Sequence, residues 1–226
     1  MMRSTMLAQK ENDRSMINQL HSDLLADYLS VSGALKVGDF TLASGVHSPY
    51  YLDLRVLPSY PLIFDRICDL YIDMITEKKM DYDLICGVPT AGLSLAAVIA
   101  NRLLRPLIYV RSHQKRHGTG RKIEGNFTPG MRVLLIDDLI TSGGSIVTTA
   151  TSLREDECHV EDVLVLIDRL QGGKKNLTAE NLQLTAVTDV VQLITAIYRQ
   201  VESGKSNFMT EEEYHKIMEY IGEQNG

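Results

Sequence analysis

No run of apolar residues in this chain of 226 approaches the ~18 that a membrane span requires, and the first 14 residues are polar, without the apolar centre of a signal peptide. An unexported protein with no membrane segment is expected. Cysteine is scarce: Cys68, Cys86 and Cys158 are odd in number, scattered and set mostly among apolar neighbours. That pattern fits neither a disulfide framework nor zinc-site spacing, so a reducing, cytoplasmic setting fits best. Basic residues are outnumbered, 23 to 29, giving a net charge of −6. A general nucleic-acid binder depends on a basic surface and is excluded on that ground. No Pro/Gly/Ser linker marks a second large domain, no internal repeat is present, and no histidine has metal-ligand spacing. His21, His159 and His215 read as structural or solvent-exposed. With 44% hydrophobic residues, a chain this long can bury roughly 70% of its unfolded surface in one domain.

What the chain does contain is alternation. Residues 1–15 read as a loose tail. From Met16 to Tyr28, apolar residues recur at helical spacing; Ser30 to Ser44 and Tyr50 to Arg55 then carry strand-like patterns broken by glycines. Together they predict a small N-terminal hood over about residues 16–58. After Pro61 a helix leads to a strand at Tyr82–Cys86, a helix at Gly92–Leu104 and a strand at Pro106–Arg111. Strands at Val133–Ile136, Val160–Ile167 and Leu182–Val187 follow, separated by a helix after Gly144 and succeeded by another. The order predicts an α/β fold with a doubly wound, mostly parallel sheet, the whole of 16–226 forming one domain. Thr210 and Glu213 form a capping-box signature before a C-terminal amphipathic helix at about 210–222.

The most informative stretch is Val133 to Ser145, Val-Leu-Leu-Ile-Asp-Asp-Leu-Ile-Thr-Ser-Gly-Gly-Ser. Its first four residues suit a parallel strand covered on both faces, which belongs in mid-sheet. Asp137 and Asp138 follow at the carboxyl end, where open α/β sheets bind ligands. Thr141, Ser142, Gly143, Gly144 and Ser145 then open a helix whose first N–H groups lack partners, which makes an anion site the size of a monophosphate. The Walker pattern and its lysine are absent, so a nucleoside triphosphate is disfavoured. Carboxylates beside a phosphate cradle ask for a ligand with vicinal hydroxyls near a phosphate, and ribose 5-phosphate has that layout. The plain alternative is a strand, a polar turn and a capped helix with no ligand.

Three further segments and one lone arginine carry chemistry. Gly87 to Gly92, including Thr90 and Ala91, lies between a strand and a helix, and its amides could receive a pyrophosphate or simply form a turn. Arg111 to Glu124 is polar, glycine-bearing and densely basic: either a solvated loop, or one that closes to exclude water and stabilise a departing anion. Tyr50 and Tyr51 could stack on a planar base or fill the core. Arg169, after the strand Val160–Ile167, suits a carboxylate or carbonyl oxygens of a substrate, or a surface salt bridge.

Val133 to Ser145 resembles the phosphoribosyl-diphosphate signature of type I phosphoribosyltransferases. From about residue 17 to about residue 200 the chain is similar to the orotate-specific branch of that family. The likeness rests on Gly33–Leu42, Ser44-Gly45, Ser48–Arg55, Cys86–Gly92, Lys115 with His117-Gly118, and Asp168-Arg169 with Gln171-Gly172-Gly173. It implies orotate and phosphoribosyl diphosphate as substrates, orotidine 5'-monophosphate and pyrophosphate as products, and Mg2+ held mainly by the diphosphate, with Asp137 or Asp138 available to it. It also implies a homodimer in which loop 111–124 reaches the partner's active site. Lys115 and His117 match positions facing the departing pyrophosphate, Arg111 a substrate-binding position, and Tyr51 and Arg169 the base side. The chain departs from the family at Ala43, Ala91 and Ser112, where lysines are common. Each charge-assisted hydrogen bond is worth roughly 1.5–3 kcal/mol, so altered affinity, rate or preference is expected unless Arg116, Arg121 or Lys122 compensates. Another base, or a non-catalytic diphosphate sensor, stay open as alternatives.

Overall fold

The structure is a computed structural model describing residues 19–41, 45–111 and 122–224. The expected tail at 1–15 and the expected helix start at Met16 lie outside those residues. The described residues form two compact units, one running to Val56 and including Val187–Gln224, the other Leu57–Ala186. The segments expected as a hood therefore share their unit with the last two helices of the chain.

In the first unit, helix α1 (19–32) buries Leu25, Ala26 and Leu29 completely. It extends past Tyr28, because Leu29 and Ser32 continue the buried stripe, and stops at Gly33, whose φ of +67° suits a glycine at a helix C-terminus. Only from Leu35 does the chain become a strand, β1 (Leu35–Thr41), paired antiparallel with β2 (His47–Leu52). The strand expected to reach Arg55 ends earlier. The Asp53 carboxylate accepts from the Arg55 N–H at 3.1 Å, a local turn that competes with strand pairing, and a 3-10 helix covers Leu54–Ser59. Helix α6 (Val190–Glu202) is capped by the Asp189 carboxylate, which accepts from the Gln192 N–H at 2.8 Å. Helix α7 (Glu211–Gln224) begins with the reciprocal capping box: Thr210 N–H to Glu213 Oε2 at 2.7 Å and Glu213 N–H to Thr210 Oγ1 at 3.2 Å. It buries Ile217 and Ile221, stacks Tyr214 on Tyr198 at 4.1 Å and sets Tyr220 edge-on to Tyr50.

The second unit is built on a six-stranded sheet of order β5-β4-β3-β6-β7-β8: β3 (Leu84–Gly87), β4 (Leu107–Val110), β5 (Ile123–Glu124), β6 (Arg132–Ile140), β7 (His159–Asp168) and β8 (Gln183–Asp189). β4, β3, β6 and β7 pair in parallel, and the two-residue β5 lies antiparallel on one edge. Being covered on both faces, β6 and β7 carry unbroken apolar runs; Leu134–Ile136 and Val163–Ile167 are wholly buried. On one face Leu84, Cys86, Leu135, Val163 and Val165 join Ile146, Ala150 and Leu153 of α4 (Gly144–Glu155) and Leu177 of α5 (Gly173–Ala179). On the other lie α2 (Pro61–Lys78) and α3 (Ala91–Arg102), the latter so close that a methyl on Gly87 would meet Ala96 Cβ at 2.9 Å. Helices thus cover both faces, as the α/β alternation leads one to expect.

Two differences from the sequence-based expectation matter for the site. β6 was expected to end at Ile136 but runs on to Ile140, since β7 continues beside it with Asp137 opposite Val165 and Ile140 opposite Asp168. Its pairing with β3 does stop there, at Gly87 opposite Ile136. Helix α5, only 7 residues long, was not expected, being too short to impose a hydrophobic period. Among the described residues, no helix is long and apolar enough to cross a membrane.

Candidate active site

Because β3 ends where β6 continues, a crevice opens at the carboxyl ends of the central strands. The cavity there is about 310 Å³ and is lined by Pro89, Thr90 and Ala91 on one side and by Asp137 through Ile146 on the other. It brings together nine residues singled out from the sequence: Thr90, Ala91, Asp137, Asp138, Thr141, Ser142, Gly143, Gly144 and Ser145. The Pro89–Thr90 peptide bond is cis.

The phosphate-sized turn has the backbone its glycines allow. Gly143 sits at φ +83° as the N-cap of α4, a conformation that an L side chain rarely adopts, and its carbonyl accepts the Val147 N–H at 3.0 Å. Gly144, Ser145 and Ile146, all in the cavity lining, open this 12-residue helix, whose first N–H groups carry its positive pole. Behind the turn, Asn176 of α5 donates through Nδ2 to the Ser142 carbonyl at 3.0 Å, and Gly173 lies so close that a methyl would overlap the Thr141 carbonyl. Sequence reasoning missed Asn176, for a lone amide in an unexpected short helix leaves no signal.

The two carboxylates differ in environment. Asp137 is 8% exposed, and its Oδ1 accepts the Asp138 N–H at 3.0 Å. Burial foremost, then the neighbouring Asp138 charge, holds its carboxyl well above the usual carboxylate range, although N–H groups of Asp138 and Gly92 oppose that. Asp138 is half-buried, and its Oδ1 accepts the Leu139 N–H at 2.8 Å. A stability effect follows. The folded protein binds the Asp137 proton more tightly than the unfolded chain, so this residue's contribution to stability falls as pH rises from the unfolded carboxylate value through the folded one. Asp137→Asn, which cannot ionise, is expected to flatten that decline and melt higher than wild type at alkaline pH. Thermal melts of both proteins across a pH series check this, and parallel curves would contradict it.

A larger cavity, about 620 Å³, lies among Arg154, Cys158, His159 and Glu161. It stands at the amino end of β7 beside the C-termini of α4 and α5, where exposed carbonyls disfavour an anion. The Arg154 guanidinium is bonded there to the carbonyls of Glu180 at 2.9 Å and Asn181 at 3.3 Å. The smaller cavity is the one with ligand chemistry.

Residues 59–189 match the model of the phosphoribosyl transferase domain. Orotate phosphoribosyltransferase of Cenarchaeum symbiosum is 40% identical over 178 residues, covering 78% of this chain and 89% of that protein. The chain belongs to the orotate phosphoribosyltransferases. The crystal structure of an orotate phosphoribosyltransferase from Aeropyrum pernix superposes with a TM-score of 0.67 at 33% identity, covering 77% of this chain and 99% of the other. Leishmania donovani UMP synthase gives a TM-score of 0.76 at 33% identity, with 89% of this chain matched and 42% of the longer one.

Other residues that the orotate phosphoribosyltransferase likeness singled out lie outside the cavity lining. The Arg169 N–H donates to the Ile140 carbonyl at 3.0 Å, tying the residue after β7 to the end of β6. Arg111 pairs with Glu124 at 3.0 Å at the end of β4. In the first unit Tyr50 is buried against Tyr220, whereas Tyr51 packs beside Phe40 with ring centroids 5.6 Å apart and accepts from Arg55 Nη2 at 3.4 Å. Tyr50 is therefore core, and of the two tyrosines only Tyr51 stays available for a base. Lys115 and His117, with Ser112, fall in residues 112–121, and Ala43 in 42–44; both stretches lie outside the described residues.

Proposed function

We propose that this chain joins orotate to phosphoribosyl diphosphate, releasing pyrophosphate and forming orotidine 5'-monophosphate on the route to UMP. The observation that carries the reading is the single cavity in which the Asp137–Asp138 pair stands beside the Thr141–Ser145 turn at the N-terminus of α4. A ribose 5-phosphate places its phosphate on the turn and its vicinal hydroxyls beside the carboxylate pair, where Asp138 accepts from them. Thr90 and Ala91 line the wall where the diphosphate would extend. Lys115 and His117, on a loop reaching from the partner of a homodimer, meet the leaving pyrophosphate; Arg111 assists substrate binding, and Tyr51 and Arg169 hold orotate. The chain works as a cytoplasmic enzyme.

The bond from the anomeric carbon to pyrophosphate breaks as a base nitrogen closes on that carbon, through an oxocarbenium-like state. Positioning and stabilisation of the leaving anion, rather than a covalent nucleophile, are what such a step needs. Among the described residues no group of three His, Cys, Asp or Glu side chains could hold a metal by itself. One or two carboxylates completed by substrate phosphates is instead the donor set that magnesium takes, and Asp138 or Asp137 fits it. Bound Mg2+ neutralises diphosphate charge and fixes its geometry.

The test is Mg2+-dependent formation of orotidine 5'-monophosphate, with uracil and adenine as competing bases and Lys115→Ala alongside. Turnover of orotate, lost in Lys115→Ala, supports the proposal. Turnover of another base alone, or none, overturns it; an unchanged Lys115→Ala removes that lysine from the mechanism.

A further inference from the structure

Tyr71 lies on α2, wholly buried, with its hydroxyl donating to the main-chain carbonyl of Asp137 at 2.7 Å. That carbonyl belongs to the peptide linking Asp137 to Asp138. It also stands one residue beyond the last β3 partner, where β6 keeps its neighbour β7 but has lost the other. One buried hydroxyl thus ties α2 to β6 at the mouth of the crevice. Nothing else in the mechanism uses this group. A tyrosine has two side-chain torsions, and a ring enclosed on a packed helix is a stiff arm.

We infer that Tyr71 is a positioning residue for the acidic pair, fixing the Asp137–Asp138 peptide and so the direction in which the Asp138 carboxylate meets the ribose hydroxyls. The inference rests on the proposed reading of the cavity as a phosphoribosyl site. The phenol O–H is the donor in this 2.7 Å bond, so the main-chain carbonyl between the two carboxylates is held from the helix side. A purely structural tyrosine would stabilise the fold without regard to which ligand is bound. A positioning one acts through Asp138, and its effect disappears when the Asp138 charge is gone.

The experiment is a double-mutant cycle read by calorimetric binding of phosphoribosyl diphosphate to the full chain with Mg2+ present. Tyr71→Phe is expected to weaken binding about tenfold, and to add less than about twofold in an Asp138→Asn background. In steady state KM for phosphoribosyl diphosphate rises and KM for orotate stays. Met74→Ala, also buried on α2, is the control: it lowers the melting temperature and leaves affinity unchanged. Equal penalties for Tyr71→Phe in the two backgrounds, or wild-type affinity in Tyr71→Phe, overturn the inference. Should Tyr71→Phe fail to fold, a ring-fluorinated tyrosine at position 71 donates more strongly in nearly the same shape. It is expected to shift affinity in wild type but not in Asp138→Asn, and equal shifts in both refute the proposal. Binding is read without orotate, so diphosphate binding without orotate turnover refutes the proposed function and leaves this inference standing.

Discussion

Gly92→Ala is expected to cost about 3 kcal/mol of stability, near the upper end for forcing an added methyl into a packed site, and so to lower the melting temperature by roughly 6–12 °C. Gly92 stands in the first turn of α3, where the helix touches the central strand. A methyl there would overlap the Ile136 carbonyl and lie 3.0 Å from both the Asp137 Cα and its Oδ1. Two of those three atoms are backbone in the middle of the sheet, and the third belongs to a buried carboxyl; none is the loose end of a flexible side chain. Relief requires α3 to move away from β6, carrying the Thr90–Ala91 wall with it, so diphosphate affinity falls in the same variant. Gly144 provides the contrast, since a Cβ there meets nothing within 4 Å. Gly144→Ala should melt within about 2 °C of wild type, as surface substitutions do, while crowding the phosphate turn. Melting curves and calorimetric titrations of the two variants separate packing from binding. A Gly92→Ala protein that melts like wild type would show that α3 slides at no cost.

The strand under this site was legible because a parallel strand covered on both faces has no polar alternation, and Val133–Ile136 has none. Its true length was not. Asp137 and Asp138 read as the end of a strand, yet β6 continues to Ile140 because β7 reaches Asp168 beside it, a pairing of residues nearly thirty positions apart. The phosphate turn was legible for the opposite reason: small residues and paired glycines before a helix are a local signal. Tyr71 falls on the helix expected after Pro61, but helical period says only that a residue faces inward, not which carbonyl its hydroxyl meets. Tyr50 and Tyr51 illustrate the same limit. Adjacent strand residues face opposite ways, so at most one of them could stack on a base, but which one depends on Tyr220, far along the chain. The joining of α7 to the hairpin was hidden likewise, resting on pairs such as Lys216 with Asp39 at 2.8 Å.

Asp138→Asn is expected to lower kcat/KM about a hundredfold in a protein that still folds, and Asp137→Asn to lower it far less. An asparagine at 138 keeps an oxygen to accept the Leu139 N–H, which Asp138 Oδ1 now accepts at 2.8 Å, so the local backbone is retained. What goes is the charge and the capacity of a carboxylate to accept from two hydroxyls at once. If each charge-assisted bond to a ribose hydroxyl loses about 1.5 kcal/mol, the sum of about 3 kcal/mol is two powers of ten. Asp137 stands differently. Burial and the adjacent charge favour its neutral form, and its Oδ1 is already engaged by the Asp138 N–H, so an amide of nearly the same shape changes little beside the ligand. Placing the two variants side by side in steady-state assays tests the division of labour within the pair. Equal losses would mean that both carboxylates meet the ribose, and that the burial of Asp137 in the free protein gives way when the ligand enters.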